Sequence, residues 1–222
     1  MKKIFFIISL HCLFANKLPN DVRWITASNE YQALCSQIYD NAINNLNLQI
    51  AKNPYSLNIV NKSKYAIVMD LDETVLDNSQ YQVELFEKNE SFNIDSWAQW
   101  VNREEAELVP GAKKYIDVIR QANIQLIFIS NRMHERLNAT INNMKRLNIY
   151  LEKDIFLLRK DKKDKKNIRR KEIFESSGRM KNYNSFVVLQ YIGDAMGDFP
   201  LTNLNQFGLT QYVLPNPMYG KW

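Results

Sequence analysis

The chain has 222 residues, 45% hydrophobic and 12% aromatic, which suits one domain with a buried core and a small insertion rather than a disordered tail. Its net charge of +5 is mild but uneven: Arg159 to Lys171 hold nine Lys or Arg and two Asp, so this is a basic segment on a near-neutral body, not a generally cationic nucleic-acid binder. Two histidines (His11, His134), two cysteines (Cys12, Cys35) and six glycines leave no multi-histidine metal cluster, zinc finger, Cys-rich iron–sulfur site, Cys-x5-Arg nucleophile or glycine-rich nucleotide cradle.

Met1-Lys2-Lys3 precedes an apolar run from Ile4 to Leu10 that fades towards Ala15. A basic head followed by about 7–15 apolar residues describes a secretory signal peptide over residues 1–15, cleaved after Ala15. The run is too short for a membrane anchor. Membrane attachment enters only through lipidation of Cys12, and Ser9-Leu10-His11 lacks the small residue usual before a lipidated cysteine. An exported domain with so few cysteines relies on its packed core instead of disulfides.

Tyr31, Leu34, Ile38, Ala42, Ile43, Leu46 and Ile50 recur at helical spacing across 27–51, and Asn53-Pro54 ends the pattern. Tyr65-Ala66-Ile67-Val68-Met69 reads as a buried parallel strand. Residues 78–109 are polar and dotted with aromatics; Trp97, Trp100 and Val101 mark a small helical insertion, or cap. Pro110-Gly111 opens a helix carrying Ala112, Tyr115, Ile116 and Ile119. Further strands run from Ile124 to Ile129, Ile155 to Leu158 and Phe186 to Ile192, with a helix at Leu137, Ile141 and Met144. Strands alternating with helices predict a doubly wound parallel α/β sheet with an N-terminal helix, all within one domain of residues 16–222.

Ligands of such sheets sit outside the carboxyl ends of the strands. There the chain has Asp70-Leu71-Asp72-Glu73-Thr74, then Ser130-Asn131-Arg132, then the lysine-rich stretch after Leu158, then Gly193-Asp194 through Asp198. Three converging acids, Asp70, Asp72 and Asp194, repel one another unless a cation joins them, and hard oxygen ligands favour Mg²⁺. The Ser130 hydroxyl and a lysine from Lys162 to Lys166 suit a phosphate dianion. The pattern is that of phosphoryl transfer: carboxylate nucleophile, metal and positive charge. One Asp-x-Asp alone is more often a pair of turn or cap residues; four rim elements in this order are not.

Val68-Met69-Asp70-Leu71-Asp72-Glu73-Thr74-Val75-Leu76-Asp77-Asn78 resembles motif I of the haloacid dehalogenase (HAD) superfamily. With Trp97 to Val101, Val109-Pro110-Gly111-Ala112, Ile129-Ser130-Asn131-Arg132, Tyr191-Ile192-Gly193-Asp194 and the ending Leu214 to Trp222, the chain resembles the class C bacterial acid phosphatases. The resemblance implies a HAD-like fold and a Mg²⁺-dependent phosphomonoesterase in the periplasm, outer membrane or extracellular space of a bacterium. It implies Asp70 as nucleophile and metal ligand. Asp72 would be general acid and base, giving its backbone carbonyl to the metal. Asp194 would be the second carboxylate ligand, with Asp198 supporting it. Ser130 and a lysine would hold phosphoryl oxygens, with Asn131 and Arg132 beside them as substrate-binding residues. Lys-x-x-Arg spacing to Arg169 selects Lys166 as that lysine, whereas ungapped counting from the strand selects Lys165. Where the family reads Gly-Asp-Asn-x-Asp-Asp-Phe, this chain has Gly193-Asp194-Ala195-Met196-Gly197-Asp198-Phe199.

The resemblance also places Tyr81 and Tyr219 at the mouth of the site, stacking on a nucleobase or phenyl leaving group; Trp97 is balanced between that role and the core. His134 reads as a surface residue. The expected partner is a small phosphomonoester, such as a nucleoside 5'-monophosphate, and not a nucleic-acid polymer. A homodimer is compatible with the sequence. The rival readings are a phosphotransferase using the same intermediate and a non-catalytic surface binding protein on a phosphatase scaffold.

Overall fold

The structure, a computed structural model, describes residues 17–52, 65–200 and 204–220. The leader with Cys12, the Asn53-Pro54 break and the final Lys221-Trp222 lie outside the described residues. Strand β1 (Tyr65–Met69) is central, and β4 (Gln125–Met133), β5 (Ile155–Arg159), β6 (Val187–Gly193) and β7 (Gln211–Val213) complete a parallel sheet of order β5-β4-β1-β6-β7. A two-residue ribbon pairs β2 (Leu76–Asp77) antiparallel with β3 (Glu107–Leu108).

Alternation along the strands explains the two layers. In β1, Ile67 and Met69 point into one apolar cluster while Ala66 and Val68 point into the other; in β4, Leu126 and Phe128 oppose Ile127 and Ile129 in the same way. The first cluster is covered by α2 (Asn29–Lys52), α5 (Ala112–Gln121) and α6 (Leu137–Arg146), through residues such as Tyr39, Tyr115 and Met144. The second is covered by Ile173 of α7 (Lys166–Glu175) with Met180 and Phe199. A sheet buried on both faces needs continuously apolar strands, as these are.

The helix predicted over 27–51 is α2, and a helix that the spacing does not announce, α1 (Asn20–Ala27), precedes it. α1 stops at Ser28, whose backbone is extended and whose hydroxyl accepts the Tyr31 N–H at 3.0 Å, so Ser28 caps the start of α2. At the start of α5, Gly111 has φ +88°, and a Cβ there would lie 2.9 Å from the Tyr39 ring, so glycine is required by both backbone and space. The insertion comprises α3 (Ser79–Glu87) and α4 (Ile94–Arg103). Asn93 caps α4 by accepting the Asp95 and Ser96 N–H groups. Strand β7, an edge of three residues, was not anticipated: Gln211 and Tyr212 are buried but the run is too short to register as periodicity. No described helix is long and apolar enough to cross a membrane.

Chain order reverses at β1: β4 and β5 lie to one side, β6 and β7 to the other. The crevice at that reversal, beyond the ends of β1 and β6, is where a doubly wound sheet holds its ligand.

Candidate active site

Asp70 follows the last residue of β1, and its N–H donates to the Ile192 carbonyl at 2.9 Å, extending the β1–β6 ladder by one rung. This fixes its carboxyl beside the end of β6, where Asp194 follows Gly193. The loop after Asp70 is a tight turn: the Leu71 carbonyl accepts the Val75 and Leu76 N–H groups, each at 2.8 Å, and Glu73 adopts φ 53°. The Tyr39 hydroxyl donates to the Thr74 carbonyl at 2.6 Å, so α2 braces the turn from beneath.

Asp198 ends the short turn Met196–Asp198 and accepts the Ala195 N–H at 2.9 Å. It approaches β6 so closely that a Cβ on Gly193 would lie 2.4 Å from the Asp198 Cβ, which explains the glycine before Asp194. Carboxylate oxygens of Asp70, Asp194 and Asp198 lie within 4.8 Å of one another. Lys166, the first residue of α7, sets its Nζ 2.8 Å from Asp70 Oδ1 and within hydrogen-bond distance of Asp198 Oδ1.

One ammonium does not balance three carboxylates. Burial, with the Asp198, Asp194 and Asp72 charges behind it, pushes the Asp70 carboxyl well above the usual range, although Lys166 pulls the other way. Burial and then Asp198 push Asp194 up to about 6. Burial would depress the Lys166 ammonium, but Asp70 and Asp198 outweigh it, so the lysine stays charged. Three hard oxygen donors with excess negative charge fit a divalent cation.

A family model for HAD superfamily, subfamily IIIB (Acid phosphatase) matches residues 11–222. The chain belongs to that family. Among solved structures it is similar to the class C acid phosphatase from Bacillus anthracis, with 29% identity and a TM-score of 0.76 over 90% of this chain and 84% of that one. The same Bacillus anthracis enzyme with tungstate bound matches at 28% identity and a TM-score of 0.75, over 90% and 84%. The stem 31 kDa glycoprotein of Glycine max is 25% identical over 158 residues, covering 68% of this chain and 58% of the soybean protein.

In this acid-phosphatase family member, Asp72 is set apart from the other acids. Its Oδ1 accepts Arg132 Nε at 2.8 Å and Asn78 Nδ2 at 3.1 Å, and its Oδ2 accepts the Ser130 hydroxyl at 3.3 Å. The side chain is outside the carboxylate cluster of Asp70, Asp194 and Asp198. Ser130 is buried, and the β4–β5 register shifts between it and Met133, which re-aims this stretch of strand towards the site.

The structure places Arg132 and Tyr81 away from an open substrate face, and it separates the two lysines that the sequence left open. Arg132 is not a free substrate-binding arm: it is 1% exposed, and its guanidinium is spent on Asp72, Asn78 and Thr140. Tyr81 is 3% exposed, its hydroxyl hydrogen-bonded to Ser96 and its ring packed on Trp97 and Trp100, so it belongs to the core of the insertion. Lys165 is exposed at the N-terminal boundary of α7, and Lys166 alone of the pair reaches the carboxylates. Asn131 is exposed, with its Oδ1 accepting Arg169 Nη2 at 2.8 Å. Trp97 is half-buried with Arg132 Cζ 5.8 Å from its ring centre, Tyr219 is exposed, and His134 is an exposed turn residue.

Sequence reasoning missed three polar residues that build the site. Asn78, wholly buried, links Asp72, Arg132 and Trp100 Nε1. Arg169, also wholly buried, donates to the Ser130 and Leu157 carbonyls and to Asn131, and burial lowers its pKa to about 10. Asn216 donates Nδ2 to Asp194 Oδ2 at 2.8 Å. Arg169 had served only as a spacing marker for Lys166; Asn78 closes the motif I stretch, and nothing in the local pattern marks it as a strut.

Proposed function

We propose that the chain is an exported, Mg²⁺-dependent phosphomonoesterase that works through a phosphoaspartate. The observation that carries the reading is the meeting of Asp70, Asp194 and Asp198 within 4.8 Å, with Lys166 Nζ on Asp70. Family membership supports the activity, and the tungstate bound to the Bacillus anthracis enzyme, a tetrahedral oxyanion like phosphate, supports the substrate class.

In this reading the Asp70 carboxylate attacks phosphorus and the bond to the leaving oxygen breaks, with Asp72 giving that oxygen its proton. Asp72 then takes a proton from a water that attacks the phosphoaspartate, releasing phosphate and restoring Asp70. Lys166 and the Ser130 hydroxyl steady the phosphoryl oxygens, and Arg132 and Asn78 hold Asp72 in place for both transfers. Asp70 and Asp194 would ligate Mg²⁺, with the Asp72 carbonyl and support from Asp198. When bound, the ion neutralises the anionic phosphoryl group and the clustered carboxylates.

Trp97 and Tyr219 remain the aromatics for the leaving group, which makes aryl phosphates and nucleoside 5'-monophosphates the proposed small-molecule partners. Export rests on the basic and apolar leader. The test is hydrolysis of p-nitrophenyl phosphate and adenosine 5'-monophosphate with Mg²⁺ and with EDTA. Turnover that is lost in EDTA and restored by Mg²⁺ is expected; turnover indifferent to EDTA, or none at all, defeats the reading.

A further inference from the structure

The nine cations of residues 159–171 divide sharply. Lys166, Arg169 and Arg170 are consumed by Asp70 and Asp198, by the Ser130 and Leu157 carbonyls, and by the Gly197 carbonyl. Lys171 pairs with Glu175, and Arg159 donates to the Asp161 carbonyl. Lys160, Lys162 and Lys163 in the turn, and Lys165 at the boundary of α7, are exposed, and among the described residues their ammonium groups carry no ion pair.

The acids of the segment offset them only in part, since exposed Asp161 sets one negative charge against four lysines. Asp164 is occupied by Arg179, with Nη1 and Nη2 at 2.9 and 3.1 Å, and by Arg169. Asp161 Oδ1 accepts the Lys163 and Asp164 N–H groups at 2.7 and 3.1 Å, and Asp164 Oδ2 accepts the Lys160 N–H at 2.9 Å. These bonds close the segment into a fixed turn, so Lys160, Lys162 and Lys163 are displayed on a rigid support.

The turn sits next to the chemistry. Lys163 is three residues from Lys166, so their Cα atoms are no more than about 11 Å apart. That is close to the ~8–10 Å over which charges act at moderate salt. We infer that this lysine turn receives the second anionic group of a multiply charged phosphomonoester, making the enzyme selective for substrates such as bisphosphates. The inference rests on the phosphomonoesterase reading. Uncompensated positive charge beside a site raises the local concentration of anions by about 10–10³-fold at low salt, and most for the highest charge.

The test compares wild type with a Lys160→Gln, Lys162→Gln, Lys163→Gln triple variant, using adenosine 5'-monophosphate and adenosine 3',5'-bisphosphate at low and high NaCl. Calorimetric Kd is read beside kcat/KM, so the turn is assessed whether or not turnover occurs. The variant should bind the bisphosphate about tenfold more weakly at low salt and the monophosphate no more than about twofold more weakly, with the difference vanishing at high salt. Its melting temperature and kcat on p-nitrophenyl phosphate should match wild type. Equal losses for the two nucleotides, or none, would overturn the inference. Absence of wild-type turnover on p-nitrophenyl phosphate would instead count against the phosphomonoesterase reading.

Discussion

Arg132 donates Nε to Asp72 Oδ1 across 2.8 Å while its own side chain is wholly buried. The guanidinium plane is completed by Asn78 and Thr140, so its donors converge on a single geometry. In the proposed reaction Asp72 serves two proton transfers, and this pairing holds it in one orientation. Arg132→Leu leaves Asp72, Asn78 and Thr140 without their shared donor, and a broken buried pair costs about 3–5 kcal/mol. Urea unfolding should show that loss, and Arg132→Lys should recover little of it because an ammonium lacks the planar fork.

Asn216 acts on Asp194 in a comparable way. Its Oδ1 accepts the Met218 N–H at 3.1 Å, which turns Nδ2 towards Asp194, and the Leu214 N–H donates to the Gly193 carbonyl at 2.8 Å to anchor the segment. Removing a residue that orients a metal ligand weakens metal binding by about 10–100-fold. Asn216→Ala should show that deficit when apo protein is titrated with Mg²⁺ by calorimetry. An unchanged affinity would mean Asp194 is held well enough without it.

Lys166 and Lys165 offer an internal comparison, since only the first reaches Asp70 and Asp198. In the proposed reaction Lys166→Met removes the positive charge beside the phosphoryl group, and kcat should fall by about 10²–10³. Lys165→Met should stay within about twofold of wild type. A reversed order in steady-state assays would reassign the lysine.

Much of this arrangement was legible because it obeys simple periodicities. β1 occupies Tyr65–Met69 as the apolar run indicates, and Asp70 and Asp194 follow β1 and β6 directly, whereas Ser130 to Arg132 lie within β4, which runs on to Met133. What escaped was the set of contacts made by residues distant in sequence. Burial of Arg132 and Arg169 contradicts the ordinary surface preference of arginine, and becomes intelligible only once Asp72, the Ser130 carbonyl and Asn131 are seen around them. Tyr81 carries the same lesson in reverse: its motif neighbourhood pointed to substrate, whereas packing on Trp97 and Trp100 claims it for the insertion.

The Arg179–Asp164 pair gives the fold a definite acid limit. Burial would raise the Asp164 carboxyl, but hydrogen bonds from Arg179 and the Lys160 N–H, with the Arg169 charge, hold it below the usual range. A carboxyl with a depressed folded-state pKa stabilises the fold above its unfolded value of about 3.9, and that contribution is lost as pH falls through the folded value. Arg179→Gln should therefore melt below wild type at pH 7. The gap in Tm should narrow as the pH is lowered past about 4. A gap independent of pH would remove Asp164 from the account.

Asp70→Asn keeps the size and burial of the proposed nucleophile while removing the charge that would attack phosphorus. The measurement is phosphate release from p-nitrophenyl phosphate in saturating Mg²⁺, at matched concentrations of wild type and variant with equal circular dichroism. A fall of about 10³-fold or more, towards the uncatalysed background, is expected. Release by the Asn variant within about tenfold of wild type would contradict a covalent intermediate on Asp70.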